Sequence, residues 1–126
     1  LPVIYHGCGN VRRIFGDFIE AGVDAYNPLE AKAGLDVVDL RRRYGHAIAF
    51  CGNMDVLTWA HGPEDELRRV VLTKLNAGKG GGFIFQSDHS VPANISARRY
   101  ELVLNLVREY GRYPLRLGEF DLPDIG

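Results

Sequence analysis

The sequence predicts an α/β fold of four consecutive β/α units with parallel strands. Two observations carry that prediction. Short apolar runs alternate with longer stretches of helical periodicity, at intervals that leave room for the crossover helices parallel strands need. The apolar runs are also nearly continuous instead of alternating, the pattern of parallel strands buried on both faces. Two architectures share this pattern, a small doubly wound sheet and part of a closed barrel. A complete barrel takes about 250 residues. These 126 residues form one partial domain, 1–126, with four of the eight units.

The elements follow in order. Residues 2–6 form the first strand. Asn10 is placed to cap a helix with Val11, Ile14, Phe15, Phe18 and Ile19 along one face, the stripe of a helix packed on a core. Gly22 ends it. Residues 23–27 give a weaker second strand, stopped by Pro28. The second helix runs through Val37, Val38, Leu40, Arg41 and Tyr44 to Gly45, and residues 47–51 form the third strand. A short extra helix occupies 54–60. Pro63 suits a first helical turn, and Glu64, Asp65 and Glu66 suit the positive end of the dipole of a long helix with Leu67, Val70, Val71 and Leu75 inward. Gly80, Gly81 and Gly82 lead into the fourth strand, 83–85. Ser96 caps the last helix, with Tyr100, Val103, Leu104 and Val107 inward and Gly111 as the stop. The tail from Arg112 carries Pro114 and Pro123 and is irregular.

Composition removes several classes of function. A formal net charge of −1 gives no basic excess for a nucleic-acid partner. The clusters Arg41-Arg42-Arg43 and Arg68-Arg69 read as solvated helix faces. No apolar run of about 18 residues is present, which argues against a membrane span, and no signal peptide is recognisable. Cys8 and Cys51 are expected to be reduced in a cytoplasmic protein, with Cys51 as core filling. The glycine run precedes a strand, the wrong order for a phosphate-cradling loop. The chain opens at Leu1 inside an apolar strand-like run, so a fragment or processed piece of a longer chain is expected.

Chemistry is expected at the carboxyl ends of the strands. Polar clusters stand there in phase: His6 to Asn10, Asn27 to Glu30, Gly52 to Asp55, and Gln86 to His89. In parallel α/β architectures these ends and the following loops converge on one mouth. Taken singly, Asn10 and Asn53 serve equally well as caps. His6 and Cys8 are two apart, so in an extended segment they point to the same side and could chelate a borderline ion such as zinc. A catalytic zinc usually needs a third protein ligand, for which His89, Asp88, Glu30 and Cys51 are candidates. His89 is equally suited to general acid catalysis or to an anion, since histidine ordinarily titrates near neutrality.

With these stretches in hand, His6-Gly7-Cys8-Gly9-Asn10-Val11, residues 20–28, Gly52-Asn53-Met54-Asp55 and residues 81–92, the chain resembles the uroporphyrinogen decarboxylase superfamily over residues 1 to about 111. The resemblance implies the C-terminal half of a (β/α)8 TIM barrel. It also implies one of two chemistries. The decarboxylases remove acetate carboxylates from a tetrapyrrole without metal or cofactor, and a histidine placed like His89 would contact those carboxylates. The cobalamin-dependent methyltransferases bind zinc through a His-x-Cys pair resembling His6 and Cys8, plus a cysteine after the last strand. Their zinc activates a thiol that accepts a methyl group from a corrinoid protein. Here Ser87-Asp88-His89 stands where that cysteine would be.

The leading expectation is therefore zinc-dependent methyl transfer involving a corrinoid protein or a thiol, with His6 and Cys8 as metal ligands and His89 and Asp88 as catalytic residues. Asn27, Glu30, Asn53, Asp55 and Ser87 are assigned to substrate binding. The alternative is metal-free decarboxylation of a porphyrinogen held by His89. A third expectation is a non-catalytic half-barrel that needs a partner, either a missing N-terminal half-barrel or a second copy, because open sheet edges are a liability.

Overall fold

Four parallel strands form one sheet in the order β1-β2-β3-β4: β1 (Ile4–His6), β2 (Ala25–Leu29), β3 (Ala49–Met54) and β4 (Phe83–Ser87). The helices are α1 (Phe15–Glu20), α2 (Val37–Tyr44), α3 (Val56–His61), α4 (Glu64–Leu75) and α5 (Ala97–Tyr110). This computed structural model describes residues 1–123, so the last three residues of the expected irregular tail lie outside the described residues. The sheet order decides between the two architectures. A doubly wound sheet reverses its strand order at a switch point. Here each strand is laid beside the one before it without reversal, which is how a barrel wall grows.

Helices pack on one face of the sheet. Phe15, Tyr26, Leu35, Val37, Leu40 and Phe50 form one core cluster behind β1 to β3. Met54, Trp59, Leu67, Val71, Val103 and Leu117 form a second behind β3 and β4. Each large apolar side chain buried there contributes roughly 1.5–3 kcal/mol. Burial on both faces does not hold for the edge strands. All of β1 is exposed, and Ile84 of β4 is 56% exposed while its neighbours Phe83 and Phe85 pack on the helices. The apolar runs of the edges thus have a second face that this chain does not cover.

Several boundaries differ from expectation for definable reasons. Asn10 does not cap a helix; its Oδ1 accepts the Arg12 N–H at 3.0 Å, a tight turn follows at Arg12–Ile14, and α1 starts only at Phe15. Strand β2 runs through Pro28, which was expected to stop it. Its pairing with β3 shifts register between Tyr26 and Leu29, and a proline without an N–H is tolerated at such an irregularity. At the same place Gly52 has φ +121°, and a Cβ there would lie 2.8 Å from the Leu29 nitrogen, so only glycine lets the two strands approach. Pro63 precedes α4 instead of sitting in its first turn. Ser96 caps α5 as expected, accepting the Arg99 N–H at 3.2 Å, and Gly111 closes it. Tyr100 does not face inward; it is 39% exposed and stacks on Trp59, while Val103 and Leu106 supply the buried face.

Arg41 corrects the reading of the arginine clusters. Arg42 and Arg43 are exposed, but Arg41 is 2% exposed. Its Nε donates to the Ala77 carbonyl at 2.8 Å and its Nη1 to the Gly45 carbonyl at 3.0 Å, and Nη2 also donates to Gly81. One guanidinium therefore satisfies carbonyls of the loops that precede β3 and β4, at the end of the sheet opposite the strand-end clusters. Replacing it by methionine keeps the stem and deletes the donors. Arg41→Met is expected to cost about 2–4 kcal/mol, since buried carbonyls lose their partners; the shift in urea midpoint measures it.

Candidate functional site

At the carboxyl edge of the sheet, a cleft of about 240 Å³ is lined by His6, Cys8, Asn27, Pro28, Gln86, Ser87, His89 and Ser90. These residues come from the ends of β1, β2 and β4. His6 pairs in register with Asn27, so both side chains lie at the same level. The β1 turn is pinned on β2: the Gly7 N–H donates to the Asn27 carbonyl at 3.0 Å, and the Tyr26 hydroxyl donates to the Gly7 carbonyl at 2.9 Å. Across the cleft, Gln86 Nε2 donates to Asn27 Oδ1 at 2.7 Å. His89 sits on the β4 loop with Nδ1 3.3 Å from the Ser90 carbonyl.

No aspartate or glutamate lines this cleft. Two carboxylates lie next to it and turn inward. Glu30, 6% exposed, accepts the Gly9 N–H at 2.9 Å. That bond, with smaller help from the Cys8 thiol, Lys32 and His89, holds Glu30 below the usual glutamate range despite its burial. The same thiol contact raises Cys8, because a proton shared with Glu30 is harder to remove. Asp88 is fully buried. Burial pushes its carboxyl up, and the backbone N–H groups around it pull the other way.

The structure brings His6, Cys8, Asn27, Ser87 and His89 of the expected site into one cleft and leaves the others outside it. Asp88 accepts the N–H groups of Ala31 at 3.0 Å, Lys32 at 3.5 Å and Val56 at 3.1 Å. Asn53 is buried in β3 at φ +77°, where its Oδ1 accepts the Val37 N–H at 2.9 Å. Its Nδ2 donates to the carbonyls of Leu29 and Leu35. Asn53 thus supplements the Asp36 cap at the start of α2, the preceding helix, and does not cap the helix that follows it. Asp55 caps α3, accepting the Leu57 N–H at 3.0 Å, and borders a different cleft with Asp36, Thr58, Arg69 and Lys74. Gln86 and Pro28 are cleft residues that sequence reasoning did not assign; Gln86 belonged to a polar strand-end cluster but carries no charge to single it out.

A zinc centre is not preformed. Among the described residues no three His, Cys, Asp or Glu side chains gather closely enough to hold an ion. As placed, His6, Cys8 and His89 share the cleft without fitting a three-ligand site, and neither cysteine is in a disulfide. Among the described residues, no helix is long and apolar enough to cross a membrane.

Sequential parallel strands, helices on one face and a polar cleft at the carboxyl edge define a segment of a β/α barrel. The family profile described as Uroporphyrinogen decarboxylase (URO-D) matches residues 1–110, and the chain belongs to that family. It is similar to uroporphyrinogen decarboxylases of Actinobacillus pleuropneumoniae serotype 5b (30% identical over 78 residues, 62% of this chain and 22% of the relative) and Pseudomonas entomophila (32% over 94 residues, 71% and 25%). A third relative is the uroporphyrinogen decarboxylase of Shewanella pealeana, 32% identical over 90 residues, 71% of this chain and 25% of the relative. The chain thus spans about a quarter of the length of these curated relatives.

Two outcomes follow from the residues behind the cleft. Asn53→Ala removes the acceptor for Val37 and the donor to Leu29 and Leu35, and sets at φ +77° a residue that tolerates left-handed backbone less well than asparagine, at an expected cost of about 3–4 kcal/mol; Asn53→Gly relieves the backbone part, about 1 kcal/mol of it. Chemical denaturation of the two variants side by side checks this. Lys74 contacts Asn53 Oδ1 and lies 3.7 Å from Asp36, and burial lowers its pKa from the ordinary lysine value. Between the lowered native value and the ordinary one, the unfolded chain holds a proton that the native state has shed, so stability rises with pH across that window. Lys74→Met is expected to remove that rise in denaturation curves taken at increasing pH.

Proposed function

We propose that this cleft is one side of a decarboxylase active site, where it binds a carboxylate of a tetrapyrrole substrate for metal-free decarboxylation. The observation that carries the reading is the lining: two histidines, Asn27, Gln86 and Ser87 face the space, while Glu30 and Asp88 are turned away onto backbone amides. Such a surface offers hydrogen-bond donors to an anion and presents no carboxylate against it. The names of the relatives, uroporphyrinogen decarboxylases, point to the same substrate class. In this reading His89 and His6 grip a carboxylate from opposite sides, Ser87 and the Asn27–Gln86 pair fix its orientation, and Asp88 works from behind. The rest of the mouth comes from further β/α units of a whole barrel or from a second copy of the chain.

A second reading, methyl transfer assisted by zinc with a corrinoid protein or thiol as partner, is favoured by one observation, the joint presence of His6, Cys8 and His89 on the cleft. It requires Cys8 to become a thiolate and the donor set to close around the ion.

Titration of a porphyrin carrying acetate groups against the full-length protein separates the two. His89→Ala is expected to weaken binding about tenfold or more, the loss of one charge-assisted hydrogen bond, with no response to a chelator. Binding that ignores the His89 substitution would sink the first reading. One equivalent of zinc in the purified protein, lost in both His6→Ala and Cys8→Ala, would establish the second.

A further inference from the structure

Asp88 and Glu30 are the two carboxylates nearest the cleft, and neither opens onto it. Their partners connect all four strand ends. Asp88, at the end of β4, takes its Oδ1 to the Val56 N–H after β3 and its Oδ2 to the Ala31 and Lys32 N–H groups after β2. Its own N–H donates to the Met54 carbonyl at 2.8 Å, a second tie to β3. Glu30, the residue before Ala31, reaches the Gly9 N–H in the β1 turn. The short segment Glu30–Lys32 is therefore held from the β4 side by Asp88 and holds the β1 side through Glu30. His89 follows Asp88 directly, and His6 and Cys8 belong to the turn that Glu30 grips.

We infer that Asp88 and Glu30 form a two-carboxylate strap, with Asp88 a positioning residue that sets the separation between His89 and the His6–Cys8 turn across the mouth without touching substrate. The strap goes beyond the carboxylate-binding reading and stands on hydrogen-bond geometry alone. Charge-assisted bonds from buried carboxylates to backbone amides are short and directional, so they fix loop positions more tightly than packing of small loop residues does. Asp88→Asn keeps an acceptor for one side and points an NH2 group at amide donors on the other.

The test uses the two cysteines as reporters in the full-length protein, with a chelator present. Cys8 is exposed on the far side of the strap, and Cys51 is buried in the sheet. Iodoacetamide labelling is followed peptide by peptide by mass spectrometry. Asp88→Asn is expected to raise the Cys8 labelling rate about threefold or more, although Asp88 and Cys8 do not touch, while Cys51 stays protected. Ala31→Pro serves as the second variant, since proline suits the first position of the short turn Ala31–Ala33 and deletes an N–H that Asp88 accepts, leaving both carboxylates in place. It is expected to raise Cys8 labelling in the same way. An unchanged Cys8 rate in both variants overturns the strap. So does a parallel rise at Cys8 and Cys51, which is general loosening of the sheet. Because the readout involves no substrate, its failure leaves the carboxylate-binding reading standing.

Discussion

Backbone amides at the carboxyl ends of parallel strands have no ladder partner once the strand stops, and when they are buried something must accept them. In this chain side-chain carboxylates and amides do so across loops. Asp88 accepts from the loops after β2 and β3, Glu30 from the turn after β1, and Asn53 from the start of α2. Each of these acceptors is buried, and none of the described buried polar side-chain atoms lacks a partner. The mouth is consequently a framework of long-range hydrogen bonds, and the loops that border the cleft hold their places through it.

That framework separates two jobs among polar residues standing side by side in sequence. Asp88 and His89 are adjacent, yet one is fully buried and the other exposed. Glu30 and Cys8 divide the same way on the other side of the cleft. Acidic groups go to the scaffold and uncharged or histidine side chains go to the opening, so the lining presents no carboxylate while the chain as a whole carries a net charge of −1. Local arrangement decides here, and overall charge does not.

Element types and their order were legible because strand and helix periodicities differ and glycines punctuate them. The strand ends were less so. Pro28, Asn53 and Gln86 look like the start of a loop, but each lies inside its strand, so β2, β3 and β4 all reach further than their apolar runs. The roles of Asp88 and Asn53 could not be read locally, since their partners lie 57 and 16 positions away. A polar residue at a strand end has the same appearance whether it faces substrate or a distant amide. Arg41 was different. Read with Arg42 and Arg43 as a solvated face, it lies four residues after Val37 and three after Val38, on the buried face of α2, so helical phase is the signal that separates it from them.

Trp59 is the single tryptophan of the sequence, and it stands beside the segment that carries His89 into α5. Its ring stacks on Tyr100 with centroids 5.1 Å apart, its Nε1 donates to the Arg99 carbonyl at 3.0 Å, and Arg99 Nε returns a bond to the Trp59 carbonyl at 2.6 Å. An indole clamped in this way has an emission sensitive to the seating of α5 on α3. The chain therefore contains its own optical probe of the β4 side, readable without labels, while the β1 side stays dark to it.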